Sequence, residues 1–277
     1  MDHIRKKLIQ LVHSKQSSWK TIYHSLKAET LPNHSSYNNQ DHTTSSQPFI
    51  SAEKLLAEYA SQKISLITIF DNEYPDLLKT IYQPPWLLFA KGDTSLLKWQ
   101  RSLAVVGSRE ATEYGRNTID YLFPELIKNQ TLIVSGLAKG IDAHAHKTAI
   151  KLGGKTIGVI AGGFDRFYPK ENALLAEYMM EHHLVLSEYP PASPPEKWQF
   201  PMRNRIISGL SRGTLVIEAK KKSGSLITAD FALNEGREVL AVPGSILTPY
   251  ADGVHHLIQQ GAKLIKSPED ILEELRS

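Results

Sequence analysis

Between residues 102 and 265, short apolar runs alternate with longer amphipathic stretches, and this alternation constrains the fold more than any other feature of the chain. The runs fall at 103–106, 131–135, 156–161, 184–187, 214–218, 238–242 and 263–265. Helical stretches lie between them, at 114–129, 142–152, 172–181, 226–234 and 254–260. The apolar runs show little in–out alternation, as expected of strands covered on both faces by helices. Strand–helix–strand repetition at this density predicts an α/β fold with a doubly wound, mostly parallel sheet.

The first part of the chain has a different texture. All 17 glycines lie at or after Gly92. Before it, Ile4, Leu8, Leu11 and Val12 fall at helical spacing, as do Trp19, Ile22, Tyr23 and Leu26. A third helical stretch at 51–61 places Leu55, Leu56 and Tyr59 on one side. Residues 30–48 are rich in Ser, Thr, Asn, Gln and His and read as a polar loop. The expected organisation is a small helical domain, 1–62, followed by the sheet domain, 63–277.

Cysteine is absent, which excludes disulfides, thiolate metal sites and cysteine nucleophiles. No apolar run approaches the roughly 20 residues of a membrane span, and the N-terminus lacks a signal-peptide pattern. A soluble cytoplasmic protein with no membrane contact is expected. The net charge of +3 is too small to imply nucleic acid by itself, so any electrostatic argument must come from local clustering.

Ligands of open parallel sheets bind where strand carboxyl ends lead into helix N-termini. The first such loop reads Gly107-Ser108-Arg109. The dinucleotide fingerprint needs a glycine where Arg109 stands. Arg109 offers instead a planar fork suited to phosphate, or it is a surface Arg on a tight turn. The loop 135–142 carries Gly136, Lys139 and Gly140, a backbone N–H nest or an ordinary turn with Asp142 as helix cap. Asp142 and His146 share a helix face but lack a third metal ligand, so a hydrogen bond or ion pair is favoured there and no metal is expected. Gly154-Lys155-Thr156 is not a P-loop, because Ala149 occupies the required glycine position and the triplet leads into a strand.

The segment 162–172 joins Phe164 and Phe167 to Arg166 and Lys170, the combination that stacks unpaired bases over a charged surface, or else one or both rings plug the top of the sheet. Tyr168 reads as a plug on top of the sheet. From Glu196 to Lys222 seven cations face two acids, the cations including Lys197, Arg203, Arg205 and Lys222. Arg203, Asn204 and Arg205 near a helix start read as phosphate ligands. Ser223, Gly224 and Ser225, with Thr228, form a second anion-cradling loop. No catalytic motif assembles. Glu218, a lone carboxylate at a strand end, reads as a partner for Arg203 or Arg205.

In this order the segments DNEYPDLL (71–78), VVGSR (105–109), SGLAKGIDAHAH (135–146), SEYP (187–190), FPMRNRIISGL (200–210), VIEA (216–219), KSGSLITA (222–229) and GREVLAVPG (236–244) resemble the bacterial DprA/Smf family of DNA-processing proteins. The resemblance covers roughly residues 64–265. It implies an extended Rossmann-like domain that binds single-stranded DNA, forms a homodimer and loads RecA recombinase. In the family this protects incoming DNA during natural transformation, with no known catalytic reaction and no cofactor. The family's DNA contacts carry over to Arg109 in GSR, to the basic and aromatic residues of GGFDRFYPK and to FPMRNR, while Lys139 and the 223–228 loop are added from charge and geometry. Lacking early glycines, residues 1–62 are expected to resemble the sterile-alpha-motif-like domain of some members rather than a helix-hairpin-helix. The winged-helix-like domain that ends many members is not expected. The dimer is expected through the C-terminal part of the sheet domain, with His255, Leu257, Ile258 and Leu264 as candidates that could equally be core. The alternative is a nucleotide-processing hydrolase resembling the lysine-decarboxylase-like phosphoribohydrolases. Where those carry P-G-G-x-G-T-x-x-E, this chain reads SGSLITAD and ends in Asp230. A pure NAD or nucleotide sensor is disfavoured by Arg109.

Overall fold

The computed structural model describes residues 2–14, 18–30 and 51–276. Helices α1 (Asp2–Val12), α2 (Trp19–Thr30) and α3 (Ala52–Ser61) lead into β1 (Ser65–Thr68), the short α4 (Asp76–Lys79) and β2 (Leu87–Gly92). There follow β3 (Ser102–Val106), α5 (Glu113–Lys128), β4 (Leu132–Ser135), α6 (Ile141–Lys151), β5 (Thr156–Ile160), α7 (Ala173–His182) and β6 (Leu184–Ser187). The chain continues with α8 (Gln199–Gly209), β7 (Gly213–Val216), α9 (Gly224–Asn234), β8 (Glu238–Ala241), α10 (Asp252–Gln259), β9 (Lys263–Leu264) and α11 (Pro268–Glu274). The polar loop expected at 30–48 lies, beyond Thr30, outside the described residues.

Among the described residues the strands form one nine-stranded sheet in the order β1-β2-β6-β5-β4-β3-β7-β8-β9. From β6 to β9 every pairing is parallel, and β1–β2 and β2–β6 are antiparallel. This is the doubly wound, mostly parallel, Rossmann-like sheet expected from the sequence. The antiparallel edge β1–β2 was not expected. Strand order reverses between β3 and β7, which opens a crevice at their carboxyl ends.

Successive residues of β3 show why the apolar runs do not alternate. Leu103 and Val105 pack with Ile119 and Phe123 of α5, Ala145 of α6 and Ile271 of α11. Ala104 and Val106 face the other layer, with Ile206 and Ile207 of α8, Ala229 of α9 and Val254 of α10. Helix starts are set by side-chain caps: Ser51 accepts from the Lys54 N–H at 3.2 Å, and Ser267 forms a reciprocal capping box with Asp270. Helices α1 and α3 place Ile9, Leu55 and Tyr59 in one apolar cluster with Leu66, Phe89, Val185 and Met179. Leu8, Ile22 and Leu26 form a smaller cluster that also takes in Trp86.

The structure corrects part of the expected dimer surface. Leu257 is buried in the α10 core with Val254, and Ile258 packs half-buried against the same cluster. The amphipathic period of α10 turns these residues inward. The His255 ring lies half-buried, its Nε2 2.9 Å from the Gly244 carbonyl oxygen. Leu264, on the edge strand β9, is exposed.

Phe89 joins the helical segment to the sheet: it is fully buried, 5.6 Å between ring centroids from Tyr59 and 5.7 Å from His13. Phe89→Ala should therefore cost about 3–5 kcal/mol of stability. Urea unfolding will report this, and hydrogen exchange should show lost amide protection in α1 and α3 as well as in β2.

Candidate nucleic-acid interface

The crevice at the reversal of strand order is a groove of about 780 Å³. Its walls are the loop after β3, the loop before α8, the first turn of α8 and the loop into α9. The helices that follow the two switch-point strands, α5 after β3 and α9 after β7, have their N-termini treated differently. At α5 the cap residue Thr112 accepts from the Gly115 N–H at 3.1 Å. Glu218, buried just beyond β7, accepts from the Thr112 N–H at 2.9 Å and from the Thr112 hydroxyl at 2.7 Å. A Cβ at Gly115 would sit 2.7 Å from the Glu218 carboxyl carbon. The positive end of α5 is thus already satisfied by an internal carboxylate. Glu218 pairs with neither Arg203 nor Arg205, which corrects the reading of its role.

At α9 the N-terminus faces the groove. Ser223 caps it, accepting from the Ser225 N–H at 3.2 Å, and a Cβ at Gly224 would meet nothing within 4 Å. Ser225 and Thr228 line the floor, and Asn204 donates to the Gly224 carbonyl at 3.3 Å. Free N–H groups and the helix dipole make this end an anion cradle. Arg109, Lys197 and Lys222 are exposed around it and have no carboxylate partner among the described residues. Lys220 also lines the groove, but its charge is engaged: Nζ lies 2.8 Å from Glu110 and 4.5 Å from the Tyr250 ring.

Aromatic faces complete the wall. The Arg109 guanidinium lies 5.8 Å from the Phe200 ring centroid, and Tyr168 stands edge-on to Phe200 at 6.0 Å. Tyr168 is half exposed and lines the groove, so it is not the plug expected from sequence. Phe200 and Tyr168 are the aromatic rings that the groove exposes; both lie in segments carried over from the family resemblance, although the reading of the residues singled out neither for stacking. Phe164 takes the buried place instead, within the cluster under α3 and α7, and Phe167 packs half-buried on the same cluster. Neither lines the groove, and the burial of Phe164 makes it the ring that plugs the sheet. Arg166 and Lys170 are exposed but do not line the groove. Lys139 lies beside it in a small side cavity, ion-paired with Glu171.

The two arginines of α8 are also corrected. Arg203 is buried beneath the groove, where Nη1 donates to the carbonyl of Gly136 and, at 2.5 Å, to that of Val159. A Cβ at Gly136 would come within 2.1 Å of Nη1, so glycine is required there. Burial pushes Arg203 down to about 10, against the opposing charge of Asp142, and the side chain stays cationic at neutral pH. Burial likewise raises Asp142, opposed by Arg203 and by the Gly136 N–H that it accepts at 3.1 Å. Asp142 is not the cap of α6, whose N-cap is Gly140. His146 is fully buried against the Thr156 hydroxyl at 2.7 Å, and burial lowers it to about 3. Arg205 points away from the groove: Nη2 donates to both Glu188 oxygens, at 2.6 and 2.8 Å, and the side chain is only 4% exposed. Of the expected residues, the groove gathers Ser108, Arg109, Lys197, Asn204, Lys222, Ser223, Gly224, Ser225 and Thr228 over Arg203.

The sequence and the fold are shared with known proteins. A family model described as DNA recombination-mediator protein A matches residues 65–276. The chain is 56% identical over 222 residues to DNA processing protein DprA of Bacillus subtilis, covering 80% of this chain and 75% of that protein. It is 53% identical over 213 residues to DprA of Streptococcus pneumoniae, covering 77% and 75%. The X-ray structure of the Streptococcus pneumoniae DprA is similar with a TM-score of 0.76 at 51% identity, over 82% of this chain and 78% of that one. A Helicobacter pylori DNA processing protein A, solved for its single-stranded DNA binding mode, is similar with a TM-score of 0.69 at 30% identity, over 76% of this chain and 96% of that one.

Arg205→Ala should act on stability and not on binding in the groove. It leaves the half-buried Glu188 carboxylate without its partner, at a cost of about 1–3 kcal/mol. A lowered melting temperature with unchanged binding of the shortest single strands, those that fill only the groove, is the expected result. Loss of binding in a fully folded variant would return Arg205 to the ligand site.

Proposed function

The chain belongs to the DNA recombination-mediator protein A family, and from that premise we propose that the switch-point groove binds single-stranded DNA. One observation carries the reading: the exposed Arg109, Lys197 and Lys222 converge with the α9 N-terminus and the Phe200 and Tyr168 rings in one open crevice. Phosphates would meet the cations and the backbone N–H groups, and unstacked bases would lie against the rings. Such a groove tolerates sequence, because every base has a face to stack. The role is binding, with no reaction assigned to any residue.

Family membership extends the proposal. The protein acts as a homodimer that protects single strands taken up in natural transformation and delivers them to RecA recombinase. The exposed Leu264 on the edge strand β9 supports self-association through the C-terminal edge of the sheet. Analytical ultracentrifugation of Leu264→Arg tests the dimer, and RecA filament growth on protected single strands tests the loading step.

Binding should be stronger for single strands than for duplex and should fall steeply with salt. Arg109→Ala should weaken all single-strand sequences alike and flatten the log–log salt slope by about 0.7 per lost phosphate contact. Lys222→Ala should do the same. Fluorescence anisotropy across a salt titration measures both, and unchanged binding by the two variants would reject the groove.

A further inference from the structure

A second cleft, of about 630 Å³, lies beside the groove between the N-terminal helices and the sheet. It gathers three of the chain's four tryptophans, Trp19, Trp86 and Trp198, together with Tyr189. Trp19 and Trp86 stack at 5.1 Å between ring centroids, and Tyr189 meets Trp198 edge-on at 5.9 Å. Packing accounts for the first pair: the Trp19 indole N–H donates to the Pro84 carbonyl at 2.8 Å, and that of Trp86 to the Trp19 carbonyl at 3.2 Å, pinning α2 to the chain before β2. Packing does not account for Trp198. It is 56% exposed, with its indole N–H fixed to Glu196 at 2.7 Å, so the ring is held in place while a face stays open.

The two cavities share one wall. Along the chain, Pro195, Lys197, Phe200 and Pro201 line the groove, and Ser193, Trp198, Gln199 and Met202 line the cleft. A ligand leaving the groove over this ridge therefore meets Trp198 next. The exposed Lys20 stands at the cleft, and Glu188, the one carboxylate that lines it among the described residues, is paired with Arg205.

We infer that this cleft is a second subsite for the same single strand, taking bases that extend beyond the groove. The inference rests on the groove reading and deepens it. Trp198 supplies the first stacking face past the ridge, the other rings continue the platform, and Lys20 meets the backbone. Aromatic faces interleaved with cations, continuous with a phosphate-binding groove, are the composition of single-strand tracks.

The test uses the full chain carrying Trp99→Phe, because Trp99 lies outside the cleft and bonds the Gln130 carbonyl at 2.7 Å. Oligo(dT) strands from about 4 to about 30 nucleotides are titrated, following anisotropy and tryptophan fluorescence together. Affinity should rise once strands outgrow the groove, with indole quenching in step. Trp198→Ala should weaken the longer strands about tenfold and leave the shortest binders unchanged, with Trp198→Phe restoring the gain. Lys20→Glu should weaken the same longer strands. If Trp198→Ala and Lys20→Glu match the parent at every length while Arg109→Ala still weakens the shortest strands, the cleft is overturned and the groove stands. If Arg109→Ala leaves the shortest strands unaffected, the groove reading falls and this inference falls with it.

Discussion

The guanidinium of Arg203, buried at the carboxyl ends of the central strands, is the contact on which the shape of the binding surface depends. It ties the carbonyls of Gly136, just past β4, and Val159, in β5, to helix α8. That tie fixes the first turn of α8 against the sheet, and Phe200 on this turn then meets Arg109 and Tyr168. A buried charge is costly unless its donors are used. Here both carbonyls accept from the one nitrogen Nη1, and the opposing charge of Asp142 lies nearby. Arg203 thus acts under the ligand surface, positioning groups that reach it.

The same sheet can serve different ligands because its anion site can be moved. In the dinucleotide-binding version of this topology, the first helix after the switch-point strand presents its N-terminus to a pyrophosphate. In this chain that helix is α5, and Glu218 already fills its end through Thr112. An external phosphate there would face a carboxylate. The open N-terminus belongs to α9, on the other side of the crevice, and the exposed cations surround it. A long, open groove with one helix end and scattered charges fits a polymer of phosphates better than one compact diphosphate.

Much of this was legible in the sequence because burial on both faces leaves a direct signature. The runs at 103–106 and 184–187 carry no polar alternation, and they are strands for that reason. The Ser223-Gly224-Ser225 loop was legible because only a helix start needs those residues before an apolar stretch. The strands β1 and β2 were not, since β2 joins the sheet by antiparallel pairing to β6, a partner far along the chain, and β1 pairs only with β2. The arginines show a different limit. Residues two apart on a helix point in widely different directions, so Arg203 and Arg205 could never share one groove, and the helical period alone could have separated them. The choice between Phe164 and Tyr168 had no such signal. Irregular turns, not a repeating period, carry that segment and decide which ring is buried.

The most direct measurement is photocrosslinking of a bromodeoxyuridine-substituted single strand to the protein, followed by mass spectrometry of the joined peptides. Crosslinks to Tyr168 and Phe200, lost when unlabelled single strand competes, are expected if the switch-point groove holds the bases. Crosslinks confined to peptides outside the groove, such as those of α10 and β9, would contradict it.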